Sequence, residues 1–384
     1  MSSGHALLSP SSAARWLNCT LAPRLEASIP DSGTSQYAIE GTIAHKACEA
    51  MAKLKFKKIK KTAYNTAIKD LKTEPLWNDE MINTAELYAE HLMEKAMSFK
   101  HEPHISFEIK VDLTDYIPEG FGFCDCIMLG DDTLVITDYK HGKGVPVKAE
   151  ANPQMMLYAL GALKLYRPLY GDSIKKIETC IDQPRLGSYE IWHCTAEELL
   201  AWGESIKPIA QKAYMGFGEY KAGAWCRFCR ANGQCKAQAE QRISAVEDFA
   251  RNPDLLTPDE ISTVLKKGKE LTAWYKAVEE YALELLLKGE SIPDYKVVEG
   301  RSVRAWSDQD KALDALIEAG YDRAVLYDYV PKSLAQLEKA IGAAKFAEVV
   351  GQFIVKPQGK PALAEASDSR KAFNSAALDF ANLN

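Results

Sequence analysis

The chain has 384 residues, of which 47% are hydrophobic and 26% charged, a composition typical of globular proteins. Its length exceeds the roughly 250–300 residues at which a single core stops growing, so we expect one large domain with an appendage. The net charge of −6 argues against a uniformly basic nucleic-acid binder, although one local basic stretch, KLKFKKIKK at 53–61, is present.

No stretch of the sequence has the length and apolarity of a membrane span, and the N-terminus lacks the pattern of a secretion signal. We therefore expect a cytoplasmic protein with no membrane partner. Disulfides are rare in that compartment, so clustered cysteines favour metal or redox chemistry.

Helical patterns dominate the first hundred residues. Ser9 and Pro10 begin a predicted helix that extends to residue 20, and residues 20–39 are rich in turn-forming types. A second helix is predicted from Gly41, and a third over 79–99.

The hydrophobic period then changes to two, which predicts strands. Predicted strands cover 104–113, 121–129, 133–140, 175–185 and 188–194. Predicted helices over 150–166 and 195–215 flank the last two strands. This order predicts an α/β fold with a mixed central sheet between helices.

The character of the chain changes near residue 245. A long amphipathic helix is predicted over 257–289, followed by a strand-rich stretch at 295–306, shorter helices and a tail of small and polar residues. We predict a first domain at 1–245, a mostly helical extension at 246–356 and a flexible tail at 357–384.

Two aspartates and a lysine interrupt otherwise apolar strand faces. By the strand period, Asp125 shares a face with Phe123 and Ile127, and Asp138 shares a face with Lys140. A turn of about four residues, or one bulge, would place Asp125 opposite Asp138.

Close carboxylates repel each other unless a cation lies between them, and oxygen ligands favour Mg²⁺ or Mn²⁺. Such a site suits phosphodiester hydrolysis, with Lys140 orienting the attacking water or neutralising developing charge. The alternative interpretation is a simple Asp138–Lys140 ion pair at the end of a sheet.

Further motifs occur in a fixed order around this pair: GTIAH with His45, a strand glutamate (Glu108), GFCD, ITDYK, and QMMLY with Gln154 and Tyr158. Their order resembles the RecB-like branch of the PD-(D/E)XK nuclease superfamily over about residues 9–240. The resemblance implies a restriction-endonuclease-like sheet and a metal held by Asp125 and Asp138. It further implies that His45 and Glu108 are additional ligands.

The same resemblance assigns Lys140 to the catalytic motif, and Gln154 and Tyr158 to supporting the lysine and contacting DNA. One sub-branch contains the AddB-type and CRISPR-associated exonucleases. In it, one cysteine before the histidine motif and three after the glutamine motif bind a [4Fe–4S] cluster. The matching residues are Cys19, Cys226, Cys229 and Cys235. Spacing alone leaves structural Zn²⁺ open, because four cysteines also make a closed zinc site.

The resemblance extends to a phage-borne group of RecB-like nucleases, which implies a phage or prophage protein acting in a bacterial host. The expected activity is metal-dependent DNA hydrolysis in recombination or replication. We expect an exonuclease, because no sequence-recognition module is visible. A phage single-strand binding or annealing protein is the partner expected by analogy. The alternative function is a non-catalytic DNA-binding or adaptor protein that retains the nuclease fold.

Overall fold

The computed structural model describes residues 6–30, 36–249, 258–298, 311, 317–318 and 342–350. The chain divides into two compact units, 1–298 and 299–384. In the second unit, a helix covers Ala343–Val350. The predicted domain boundaries at residues 245 and 356 remain predictions.

Five strands form one mixed sheet in the first unit, in the order β1-β2-β3-β4-β5. Only β3 and β4 pair in parallel; the other neighbours are antiparallel. The strands are β1 His104–Asp112, β2 Phe121–Gly130, β3 Thr133–Tyr139, β4 Lys176–Gln183 and β5 Ser188–Thr195.

Helices lie on both faces of this sheet. The helices described in the first unit are α1 Ala13–Asn18, α2 Ala22–Ser28, α3 Gln36–Lys55, α4 Lys61–Leu71, α5 Glu80–Met97, α6 Pro153–Tyr170, α7 Ala196–Met215, α8 Lys236–Phe249 and α9 Pro258–Leu287. Those on the sheet faces are α1, α6 and α7 on one side and α3, α4 and α5 on the other. The predicted α/β class, with a mixed sheet flanked by helices and a helical region later in the chain, is confirmed. Among the described residues no helix is long and apolar enough to cross a bilayer.

Two apolar cores sandwich the sheet. The α6-side core packs α1, α6 and α7 on one face and includes Leu134 and Leu157. The α3-side core packs α3, α4 and α5 on the other face and includes Val135 and Tyr88. Leu134 and Val135 are adjacent on β3 yet enter different cores, as the period of a buried strand requires.

The structure differs from the sequence prediction in three segments. Helix α2 forms inside the stretch expected to consist of turns, with Pro23 in its first turn and Glu26 buried. Helix α4 was not predicted, and its Ile68 and Leu71 pack into the α3-side core. Residues 295–298 of the expected strand-rich stretch are irregular, and 299–306 lie outside the described residues.

Gly161 allows α6 to lie directly against the sheet. A Cβ at this position would lie 2.7 Å from Val111 Cβ. We expect Gly161→Ala to lower the free energy of unfolding by about 1–3 kcal/mol, because a packed core resists added volume. Urea unfolding followed by circular dichroism measures the change.

Gly268→Ala is the matched control, since this helical glycine has open space around its Cβ position. Alanine there is expected to raise stability by about 0.5–1 kcal/mol through helix propensity. Equal effects of the two substitutions would contradict the packing argument.

Candidate functional site

The turn between β2 and β3 brings two acidic residues side by side. Gly130 pairs with Thr133 across a four-residue turn, and Cys126 pairs with Thr137. Continuing that register by one step places Asp125 opposite Asp138, at the end of the paired region. Both side chains are largely buried, with Asp138 only 3% exposed.

Glu108 lies on the other side of Asp125. The pairs Phe107–Cys126 and Ile109–Cys124 flank this position, so Glu108 stands opposite Asp125 in the β1–β2 register. Its φ of 52° is in the left-handed region, which is unfavourable for a residue with a side chain. Backbone strain of this kind persists where surrounding structure enforces it, often at functional sites.

This distortion corrects the predicted strand faces. Cys124 packs in the α6-side core, whereas Cys126 packs in the α3-side core, although an undisturbed strand would put both on one face. The alternation along β2 predicts that Cys124 and Cys126 share the face opposite Asp125, and this prediction is wrong because the distortion places them on different faces. The sequence contains no signal for this distortion, because Glu108 is neither glycine nor asparagine.

Three side chains from separate elements converge here. Possible ligand atoms of His45, Glu108 and Asp125 all lie within 4.8 Å of one another. His45 comes from α3, and its Nδ1 is 3.4 Å from Asp125 Oδ2. The Tyr139 backbone N–H also donates to Asp125 Oδ2, at 2.7 Å. Imidazole and carboxylate ligands in this arrangement suit a divalent cation.

The pKa values of Glu108, His45 and Asp125 reflect charged groups that lie close together and are largely shielded from solvent. Burial raises the pKa of Glu108 to about 7, with Asp125 and Glu49 adding to the effect. Burial opposes charge on His45 too, but the Asp125 carboxylate outweighs it and raises the histidine pKa. Burial likewise disfavours charge on Asp125, yet His45 and the Tyr139 N–H hold its pKa below the usual value. Asp125 therefore stays anionic and ready to accept a cation.

A polar chain on the α6 side holds Asp138. Lys140 Nζ is 2.8 Å from Asp138 Oδ2 and donates to Gln154 Oε1 at 3.1 Å. Gln154 Nε2 lies 3.1 Å from Asp138 Oδ1 and 3.2 Å from the Tyr158 hydroxyl. Gln154 and Tyr158 are one turn apart near the start of α6, where the Asn152 side chain caps the helix.

Burial and the neighbouring Asp125 raise the pKa of Asp138, although Lys140 opposes the shift. Burial also opposes the charge on Lys140, but Asp138 outweighs it and raises the lysine pKa. Lys140 is therefore cationic at neutral pH, held between one carboxylate and one amide oxygen. Its ammonium group is positioned by partners on two different elements, β3 and α6.

The predicted site residues thus fall into two adjoining groups. His45, Glu108 and Asp125 form the cation group, and Asp138, Lys140, Gln154 and Tyr158 form the lysine group. Asp125 and Asp138 join them across the β2–β3 register. In the structure, Asp138 contacts Lys140 and Gln154 and does not complete the cation group.

Sequence reasoning missed a buried polar network behind Tyr139. The Tyr139 hydroxyl lies 3.0 Å from Thr84 Oγ1 and 2.8 Å from His141 Nδ1. His141 Nε2 and Arg185 Nη1 both contact Glu40 Oε1, at 3.1 Å and 3.0 Å. The network fixes the strand segment whose backbone N–H binds Asp125. Its members come from four regions of sequence, so no local pattern could have identified it.

The four predicted cluster cysteines line one small cavity. Cys19 follows the last residue of α1, and Cys226 lies in the short 3-10 helix Ala224–Phe228. Cys229 and Cys235 line the same cavity, and all four thiols are free. The Lys221 N–H donates to Cys19 Sγ at 3.5 Å, and the Gly223 N–H donates to Cys226 Sγ at 3.4 Å.

A second set of contacts ties the same two chain segments together. Arg15 Nε pairs with Glu26 Oε2 at 2.7 Å, and Arg15 Nη1 donates to the Phe228 carbonyl at 3.1 Å. The Arg230 backbone N–H donates to Glu26 Oε1 at 2.8 Å. The N-terminal helices therefore contact the cysteine-rich segment independently of any bound metal.

The fold and the two residue groups define an α/β protein with a candidate divalent-cation site at a distorted end of its mixed sheet. The chain belongs to the family described as "Protein of unknown function (DUF2800)", which matches residues 5–371.

The chain is also similar to a solved protein described as "Crystal structure of SSO0001". The match covers 59% of this chain and 96% of that one, at 14% identity and a TM-score of 0.24. A likeness of that size supports no statement about function.

Proposed function

We propose that this protein is a metal-dependent deoxyribonuclease of the RecB-like PD-(D/E)XK kind. The observation that carries the proposal is the convergence of His45, Glu108 and Asp125 beside the ion pair of buried Asp138 with half-buried Lys140. Mg²⁺ or Mn²⁺ fits this group of one imidazole and two carboxylates. The ordered sequence motifs around the same residues support the same interpretation.

The bound cation would stabilise charge on the phosphate and lower the pKa of a water molecule. The protein's own residues supply positioning. Lys140 lies within reach of the cation group and places a fixed positive charge where the phosphate gains negative charge. Gln154 bridges Lys140, Asp138 and Tyr158, so it fixes the lysine's direction without carrying charge itself.

An iron–sulfur cluster is the second part of the proposal, with Cys19, Cys226, Cys229 and Cys235 as its ligands. The thiols surround one cavity, and two of them accept backbone N–H groups. Four thiolates would also make a closed structural zinc site. The sequence resemblance favours the cluster over zinc.

The biological setting follows from the sequence resemblance alone. We propose that the nuclease acts in phage or prophage recombination or replication. Degradation from a DNA end is preferred over cutting at a specific sequence. A phage single-strand binding or annealing protein is the proposed partner, and the tail at 357–384 that would recruit it lies outside the described residues.

The testing experiment is Mn²⁺-dependent degradation of linear DNA by the purified protein. Cleavage is expected with Mn²⁺, none with EDTA, and closed circular DNA should resist. Asp138→Ala is expected to lower the rate at least about 100-fold, because it removes the acidic partner of Lys140. Wild-type protein that binds DNA but never cleaves it would favour the adaptor function. Full activity in Asp138→Ala would overturn the site assignment.

A further inference from the structure

An exposed aromatic ledge lies beside the candidate site. It consists of Phe121 and Phe123 on β2 and Lys110 on β1. The Phe123 side chain is 46% exposed, and the two phenylalanine rings meet edge to face at 6.2 Å. Lys110 pairs with Phe123 in the strand register, and its Nζ lies 4.4 Å from the Phe121 ring centroid. The ledge therefore presents a partly exposed aromatic surface next to a positive charge.

The ledge owes its exposure to the distortion at Glu108 and Asp125. Beyond that point, Gly122 and Cys124 face the α6-side core: Cys124 is buried there, and a Cβ on Gly122 would lie 2.7 Å from the Tyr158 ring. The alternating residues Phe121 and Phe123 therefore point to the opposite side. Glu108 and Asp125, two residues along from Lys110 and Phe123, stand at the inner end of this surface.

The ledge is rigidly connected to the lysine group. Gly122 lies between the two phenylalanines, and the Tyr158 ring contacts the other side of the strand at this glycine. Tyr158 is also the hydroxyl partner of Gln154, which holds Lys140. The ledge and the Tyr158 ring thus lie on opposite sides of one short segment of β2.

We propose that the ledge binds one unpaired nucleotide of a DNA strand. The base of this nucleotide stacks on Phe123, and its phosphate contacts Lys110 as the strand enters the site. This inference rests on the proposed nuclease function and adds a preference for single-stranded DNA or a frayed end. Phe123 and Asp125 are two strand residues apart, about 7 Å, which is within the reach of one nucleotide. The stacked base therefore belongs to a nucleotide next to the one being cut.

Stacking explains why the preference is for unpaired DNA. Every base has a flat aromatic surface, so stacking on a protein ring needs no particular sequence. In a duplex that surface is covered by neighbouring bases and becomes available only after unstacking. Lys110 supplies positive charge beside the Phe121 ring. Duplex DNA could use the lysine but not the ring.

The test compares DNA binding by wild type, Phe123→Ala and Phe123→Trp in EDTA, where no cleavage occurs. The probes are a fluorescent 20-mer of thymidine, the same backbone with abasic sites, and a 20-base-pair blunt duplex. Phe123→Ala is expected to weaken binding to the thymidine strand about tenfold, the scale of one stacked base. Binding to the duplex and the abasic strand should change less than about twofold. Phe123→Trp should retain affinity, and its fluorescence should be quenched by the thymidine strand.

Phe217→Ala is the matched control, because Phe217 is an exposed phenylalanine that follows α7 and is not part of the ledge. It is expected to bind all three probes as the wild type does. Equal loss on the thymidine and abasic strands, or no loss from Phe123→Ala, would overturn the ledge while leaving any measured nuclease activity intact. If binding depended on the bases but the protein cleaved no DNA, the proposed nuclease function would be wrong and base stacking on the ledge would stand. Wild-type protein that binds none of the three probes would overturn the ledge, and the Mn²⁺-dependent cleavage assay decides the nuclease separately.

Discussion

Lys140→Met is expected to lower Mn²⁺-dependent DNA cleavage by about 100- to 1,000-fold while leaving Mn²⁺ affinity within a few-fold. Lys140 is not in the cation group, so its loss should not remove a ligand. The Lys140 ammonium group instead contacts the buried Asp138 carboxylate and the Gln154 side-chain oxygen. Single-turnover cleavage and Mn²⁺ titration by calorimetry measure the two quantities separately.

Methionine preserves the length of the lysine stem and removes only the charge and the donors. Asp138 then loses its nearest cation, so the metal-free protein should unfold more easily. Melting curves with and without Mn²⁺ therefore accompany the kinetics. A variant that is folded and binds Mn²⁺ but does not cleave DNA is the expected outcome.

Glu108→Gln is the comparison that separates the two roles. Glu108 belongs to the cation group and makes no contact with Lys140, so we expect weaker Mn²⁺ binding and cleavage that recovers at high Mn²⁺. Saturating Mn²⁺ should not rescue Lys140→Met. If Mn²⁺ rescued Lys140→Met, or if that variant cleaved DNA at the wild-type rate, the lysine would be only a structural ion-pair partner.

Cys19→Ser is expected to abolish iron retention in protein purified without oxygen. Wild-type protein should be brown and should contain iron and acid-labile sulfide, because four thiolates around one cavity suit a cluster. Removal of one ligand should leave colourless protein and a lower melting temperature. The N-terminal helices would then depend on the Arg15 and Glu26 contacts alone to hold the cysteine-rich segment.

Cys194→Ser is the matched control, since Cys194 lies on β5, outside that cavity, and is similarly free. It should keep its colour, iron and sulfide. A colourless wild-type protein with one tightly held zinc would show that the four cysteines bind structural zinc and not an iron–sulfur cluster. Full iron content in Cys19→Ser would remove Cys19 from the ligand set.

Local patterns were sufficient to predict the sheet. The alternation over 121–129 and 133–140, split by a turn signal, predicted β2 and β3 to within a few residues. Apolar helices on both sides predicted the layers. The sequence did not predict helix α4, because its segment follows a run of lysines. Ile68 and Leu71 become core residues only through their packing in the α3-side core. A short amphipathic pattern carries little information until its partner surface is known.

The sequence by itself determined which chemistry is available: His45, Glu108, Asp125, Asp138 and Lys140 in an order that resembles a known nuclease branch, and four cysteines at two distant places. The tertiary structure decided which atoms meet. Glu108 in a left-handed conformation moves β1 and β2 out of regular alternation, exposes Phe123, and brings its own carboxylate to His45 and Asp125. The physical reason is that strand faces follow from local period, whereas a backbone distortion is stabilised by the packing on both sides of the sheet.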